Sequence, residues 1–203
     1  YLDSQPITPR ARATAVFRQW PVGAAGVYVA NVEFDKAGQW GIIAEVTGED
    51  GTTRTGDAGF LVNEQSLAPA IGATAPASRN KTARDVADLR KITTSPFPDL
   101  DLYQLTIAEA LATGRPTVVT FATPAFCQTA TCGPQVAVVT SVKERHKGRA
   151  DFIHIEAFDL VLEDGGAGKG PLSHVLVEWG LPSEPFTFIL DADGLVASKF
   201  QGF

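Results

Sequence analysis

The 203-residue chain contains no methionine, only two cysteines and only three histidines. Each scarcity excludes something. Two cysteines cannot form the framework of a disulfide-stapled mini-protein, and a chain of this length buries enough core to stand without staples. No apolar run approaches the roughly 20 residues that cross a bilayer as a helix, so no transmembrane segment is expected. Lysine and arginine total 17 against 23 acidic residues, a net charge of −6 with a pI near 5.0. That balance argues against nucleic acid as a partner, because a sequence-independent grip on phosphates needs clustered basic residues. With Tyr1 first and methionine absent, a leader, anchor or further N-terminal structure is expected to precede the chain.

What is present reads as two domains. From residue 27 apolar residues alternate: Tyr28, Ala30, Val32 and Phe34 face one way in GVYVANVEF, and Trp40, Ile42, Ala44 and Val46 do so in WGIIAEV. With GFLV at 59–62 and a strand near AVFRQW, residues 1–65 read as a meander, a small all-β, sandwich-like module with its first strands missing. Residues 66–80, SLAPAIGATAPASRN, lose periodicity and gain Ala and Pro, as a linker does. TARDVADLRKI reads as a short helix, and the two prolines of TTSPFPDLDLYQL suggest an extended approach to the second domain.

Residues 81–203 alternate helix and strand. Thr106 with Glu109 three residues on is a capping box, and Gly114 and Pro116 stop that helix. PTVVTF is a buried strand, PQVAVVTSVKERHKG a helix with Pro134 in its first turn, DFIHIEAF a strand and LSHVLVEWG a helix. FTFILD and LVASKF close the pattern as two strands joined by ADG. Parallel strands followed by a hairpin imply an α/β layer fold.

Both cysteines fall in FATPAFCQTATCGPQ, where a strand runs into a loop that opens a helix. The N–H groups of a helix N-terminus favour a thiolate, the form that attacks disulfides and binds soft metals. Cys127 and Cys132 are five positions apart, about 140° around a continuous helix, so they cannot both sit in regular helix and pair. Cys127 is expected in the loop and Cys132 at the helix start.

TIAEAL, TVVTF, FATPAFCQTATCGP and WGLPSEPFTFILDADG together resemble the thioredoxin-like superfamily, in particular extracytoplasmic bacterial thioredoxin-domain proteins with an immunoglobulin-like β-sandwich module in front. The resemblance covers residues 80–203 and, through YVANVEFDKAGQW, loosely the N-terminal region. It implies a mixed sheet flanked by helices, a cis-proline at Pro185 facing the cysteines, and a final helix beyond Phe203. It also implies thiol–disulfide oxidoreductase activity in the bacterial cell envelope, with Cys127 attacking, Cys132 resolving, and protein thiols or disulfides as partners. Pro185, Glu184, Phe126, Pro124 and Thr129 would shape the substrate surface. The motif departs from the family in having four residues between its cysteines rather than two, and Thr120 stands where a buried carboxylate is usual.

Other readings of the pair stay open. It can be a structural disulfide; a copper site completed by His146, His154 or His174; or part of a peroxidase loop, since Thr129 precedes Cys132 by three residues. GGAGKGP is read as a flexible surface loop, because Glu163 and Gly170 break the phosphate-loop pattern. His154 with Glu156 echoes a deaminase pair, but the required downstream cysteines are absent. Trp20, Trp40 and Trp179 are assigned to packing.

Overall fold

The computed structural model describes residues 9–19, 26–126, 132–163 and 166–202. Trp20, Cys127 and Thr129 lie outside the described residues. The chain divides into two compact units, the first ending at Ser66 and the main part of the second beginning at Leu67.

In the first unit, β1 (Val16–Gln19) pairs antiparallel with β2 (Gly26–Val29), and β3 (Gly38–Thr47) with β4 (Thr53–Val62). The β3–β4 ladder runs in unbroken register from Gly38 opposite Val62 to Thr47 opposite Thr53. Its turn is set by GEDG: Asp50 Oδ1 accepts from the Thr52 amide at 3.0 Å and hydroxyl at 2.7 Å, and Gly51 supplies the positive φ of 76°. Among the described residues no ladder joins β2 to β3, so the expected meander is corrected to two separate hairpin-like pairs. Trp40 is the only buried apolar side chain described in this unit; it meets Phe34 edge-on at 5.0 Å and donates from its indole N–H to the Lys36 carbonyl at 3.0 Å. Its expected face-mates Ile42 and Val46 are exposed.

The second unit is organised on a four-stranded sheet in the order β10, β9, β5, β6. β5 (Thr117–Phe121) is parallel to β6 (Asp151–Ile155) and antiparallel to β9 (Phe186–Leu190), which pairs antiparallel with β10 (Val196–Gln201). Period-two geometry sends alternate β5 side chains to opposite faces, and both faces are covered. Val119 and Phe121 join Ile107 and Ala110 of α1 (Ile107–Ala112) and Val175 and Leu176 of α3 (His174–Glu178), together with Trp179. Val118 packs in the opposite cluster with Val136 and Val139 of α2 (Cys132–His146), Phe152 and Tyr103. A strand buried on both sides needs the continuous apolar run that TVVTF shows.

Three expectations are corrected here. Residues 67–80 do not form a linker: Ala68 and Ala75 are core residues, and the segment runs beside β10, with Gly72 N–H donating to Val196 O (2.8 Å) and Val196 N–H to Ala73 O (2.9 Å). Small alanines let backbone approach the sheet closely where a linker would be solvated. TARDVADLRKI yields only a 3-10 turn at Leu89–Lys91, because Thr82 is held by Asp85 and Asp88 caps the later turn. GGAGKGP is not a loose loop but part of a hairpin, β7 (Phe158–Glu163) against β8 (Gly166–Leu172), with Lys169 Nζ 3.9 Å from the Phe158 ring centre. No helix among the described residues is long and apolar enough to cross a membrane.

The capping box on α1 is complete: Thr106 Oγ1 accepts from Glu109 N–H at 3.0 Å, and Glu109 Oε2 accepts from Thr106 N–H at 2.8 Å. Thr106→Ala is therefore expected to lower unfolding free energy by about 1 kcal/mol in urea titration; an unchanged midpoint would show that tertiary packing alone holds this short helix.

Candidate functional site

The site grows from the C-terminal end of β5. Phe121 stands opposite Phe186 in the antiparallel ladder and beside Ile155 in the parallel one. Carried past Phe121, the two registers bring Pro185 and Glu184 to one side of Ala122–Thr123 and Glu156 to the other. The Glu184–Pro185 peptide is cis, and Pro185 is buried.

The turn that follows is pinned at several points. Ala122 N–H donates to Ile155 O (3.0 Å), Ala157 N–H to Thr123 Oγ1 (3.1 Å), Phe126 N–H to Thr123 O (3.3 Å) and Ala125 N–H to Thr94 Oγ1 (3.1 Å). Pro124 and Phe126 are half-buried and Ala125 is exposed. Phe126 is the last residue described before Cys127. On the other side of the gap Cys132 is the first residue of α2, as expected. A cleft of about 310 Å³ opens beside Ala125, lined also by Leu89, Arg90, Thr93, Thr94, Ser95, Pro96, Pro98 and Ala167. Phe97, between the two prolines, is 91% exposed.

Beneath the turn the polar groups are buried. Thr120, at the position where the resemblance led us to look for a carboxylate, lies 3.1 Å from Thr187 Oγ1, to which Gln135 of α2 also donates at 2.7 Å. That layer is neutral. His154 on β6 is buried with both ring nitrogens committed: Nε2 is 2.9 Å from the Ala122 carbonyl, and Nδ1 is 2.7 Å from Tyr103 Oη. A carbonyl only accepts, so Nε2 carries the proton, and the Tyr103 hydroxyl lies between Nδ1 and Thr93 Oγ1, 2.9 Å away. Burial lowers the His154 pKa to about 4 and raises that of Tyr103, so both are neutral at pH 7.

Glu156 is buried directly after β6. Its Oε1 accepts from the Thr94 amide and, at 2.7 Å, from the Thr94 hydroxyl. Oε2 has no hydrogen-bond partner among the described residues, and neither does the buried Oε2 of Glu184. Desolvation pushes the Glu156 pKa up to about 7; the Thr94 donors and the nearby Thr123 hydroxyl oppose that rise, and the Glu184 charge adds to it. Glu184 is raised by burial as well, against the Thr123 hydroxyl and amide dipoles and Lys169.

Among the described residues the candidate copper ligands do not form a cluster. His154 has no free nitrogen, and His146 is exposed at the far end of α2, about 21 Å along the axis from Cys132 at 1.5 Å per residue. His174 is exposed at the start of α3, and no group of three His, Cys, Asp or Glu side chains is placed to hold a metal ion among the described residues. The sequence reading missed Glu156 as a site residue, together with Thr94, Thr123 and Tyr103. The available signal was an acidic residue immediately after the strand DFIHI, every residue of which is buried. Comparison with known proteins adds no family: no family model matches the chain, and no curated protein matches it.

Glu156 and His154 titrate in opposite senses. Glu156, raised from 4.5 to about 7, contributes stability that is complete below pH 4.5 and lost as pH rises through 7. His154, lowered from 6.5 to about 4, contributes stability that is present above pH 6.5 and lost as pH falls through 4. Each is worth roughly 3 kcal/mol, so the two slopes largely cancel between pH 4.5 and 6.5. Removing one should expose the other. In Glu156→Gln, urea titrations should show stability rising across that window by roughly 2 to 3 kcal/mol more than in the wild type; parallel curves for the two proteins would contradict the assignment.

Proposed function

We propose that residues 81–203 form a thioredoxin-like domain acting as a thiol–disulfide oxidoreductase on proteins of the bacterial cell envelope, the first unit serving as a spacer or docking module. The observation that carries this reading is the β5–β9 register, Phe121 opposite Phe186, which sets the turn leading to Cys127 beside Pro185. The sheet order β10, β9, β5, β6, with helices covering both faces, supports it. So does Cys132 as the first residue of a 15-residue helix, where the helix dipole favours a thiolate.

In the dithiol form one cysteine, Cys127 in this assignment, loses its proton and attacks a partner's disulfide. A mixed disulfide forms and one partner thiolate leaves. Cys132 then attacks the mixed disulfide, closing the Cys127–Cys132 bond and releasing the second partner thiol; two electrons and two protons pass to the partner. Pro185, with Glu184 beside it, would border the partner's backbone, and Pro124, Phe126 and Thr129 its side chains. The exposed Phe97 and the cleft beside Ala125 offer that partner an apolar foothold on the same side. The buried His154 has both ring nitrogens hydrogen-bonded, so it offers no free donor to the copper reading.

Thiol labelling in defined glutathione or dithiothreitol buffers should give a reversible midpoint for Cys127 and Cys132 between about −270 and −120 mV, the range of catalytic exchangers. A bond that resists reduction below about −300 mV would make it a structural staple instead.

A further inference from the structure

Between the 3-10 turns at Leu89–Lys91 and Leu100–Tyr103 the chain runs along the cleft beside Ala125, to which Thr94, Ser95, Pro96 and Pro98 contribute lining. Its two prolines carry no N–H. Among the described residues Ser95–Pro98 make no hydrogen bond to the rest of the domain, the Ser95 amide turning back to Thr93 Oγ1 at 3.1 Å, and the Phe97 ring is in water. The stretch is held at two posts. At one, Asp99 Oδ2 meets the buried Lys143 of α2 at 2.7 Å. At the other, Thr94 donates its amide and, at 2.7 Å, its hydroxyl to Glu156 Oε1, while Thr94 Oγ1 accepts the Ala125 N–H at 3.1 Å and so ties one lining segment of the cleft to another.

The posts differ in kind. Lys143 is compensated by Asp99, Asp101 and Glu144. Glu156 is buried with no ion-pair partner among the described residues, and its Oε2 has no hydrogen-bond partner there either. A buried carboxyl in that setting is cheap as the neutral acid and costly as the anion. If the stretch swings out, water reaches Oε2 and replaces Thr94 at Oε1, and the anion's cost falls. Thr93 is the natural hinge, since it stays buried with its Oγ1 2.9 Å from Tyr103 Oη.

We propose that residues 94–98 are a flap latched on Glu156, held against the cleft while that acid is protonated and released when it ionises. The device does not rest on the chemistry assigned to the cysteines. The surrounding charges leave Glu156 in control of it. Glu184 opposes ionisation of Glu156; Lys169 of β8 acts on Glu184 and lies over the Phe158 ring. Asp159 is paired with Lys81, and Arg90 at the cleft with Asp88. His154 and Tyr103 are hydrogen-bonded to each other and neutral at pH 7, and Thr123 brings only its hydroxyl.

The sign follows from linkage. With a pKa of about 7 in the closed form and the ordinary 4.5 once solvated, closure is fully favoured below pH 4.5 and weakens as pH rises through 7. The opening equilibrium changes by up to about 300-fold, of which about 70-fold falls between pH 5 and 8. His154 stays buried when the flap opens, so its opposite titration, which offsets Glu156 in global unfolding, does not act on the flap.

Amide hydrogen exchange read by NMR from pH 5 to 8, expressed as protection relative to the unfolded chain at each pH, tests the latch. In the wild type the Thr94 and Ala125 amides should lose about 70-fold of their protection across that range, while the Val119 amide on the doubly paired β5 changes by no more than a few-fold. In Glu156→Gln the Thr94 and Ala125 protection should be independent of pH. Thr94→Val keeps the amide bond but removes the hydroxyl link, and should leave Ala125 poorly protected at every pH. Wild-type protection that is flat with pH overturns the proposal. So does a loss shared equally by Val119, which marks global unfolding, or a Glu156→Gln profile parallel to that of the wild type. If Glu156→Gln does not fold, the wild-type profile and Thr94→Val decide. None of these readouts involves a thiol, so the latch and the oxidoreductase reading stand or fall separately.

Discussion

β5 is hydrogen-bonded on both edges and buried on both faces, and the rest of the second unit depends on that double constraint. Its edges fix which residues of β6 and β9 come level with its end. Its faces fix where α1, α2 and α3 settle. Once Phe121 is locked between Ile155 and Phe186, Ala122 and Thr123 have no freedom over their neighbours: Glu156 arrives from one side and Glu184 with Pro185 from the other. A slip of one residue in either ladder would turn every side chain of that strand to the opposite face, putting Phe186 and Phe188 among the partners of α2. The site is therefore held by register, which is a property of strands distant in sequence.

That dependence explains what could and could not be read from the chain. The helix start at Thr106, the buried strand at TVVTF, the helix opening at Cys132 and the last two strands are local: capping chemistry, an unbroken β-branched run, a proline in a first turn and an ADG turn suffice. Glu156 was not legible, because its meaning comes from the parallel pairing of β6 with β5 across some thirty residues. The segment 67–80 misled for a different reason. Alanine, proline and glycine are what a solvated linker contains, and also what a strap needs in order to lie close against β10, as Gly72 does at φ 82°. The β7–β8 hairpin was hidden by its glycines, whose pairing is driven by Phe158, Leu160 and Leu162 across the turn rather than by any propensity of GGAGKGP itself.

The first unit shows the opposite regime. Its β3–β4 pair runs in unbroken register, yet among its residues only Trp40 is buried, while Ile42, Ile43, Val46 and Leu61 are exposed. Local pattern specifies the hairpin, but a two-stranded pair has too little area to bury both its own faces. In the second unit the continuous apolar run of β5 is buried because helices cover both faces.

The buried end of the β5–β6 pair carries an acid and a base two residues apart, and burial moves both toward neutrality: the Glu156 pKa rises and the His154 pKa falls. The common cause is desolvation, but the consequences differ. His154 finds a complete set of partners as a neutral ring, between Ala122 O and Tyr103 Oη, so its charge state does nothing at physiological pH except hold the turn. Glu156 is satisfied at only one oxygen, and burial, with a smaller contribution from the Glu184 charge, raises its pKa to about 7. A group near its midpoint can both accept and return a proton at pH 7, which a strongly acidic surface carboxylate cannot do. Histidine is the residue usually asked to work in that range; here the buried histidine, His154, holds the turn instead, and the group whose pKa lies near 7 is a carboxylate.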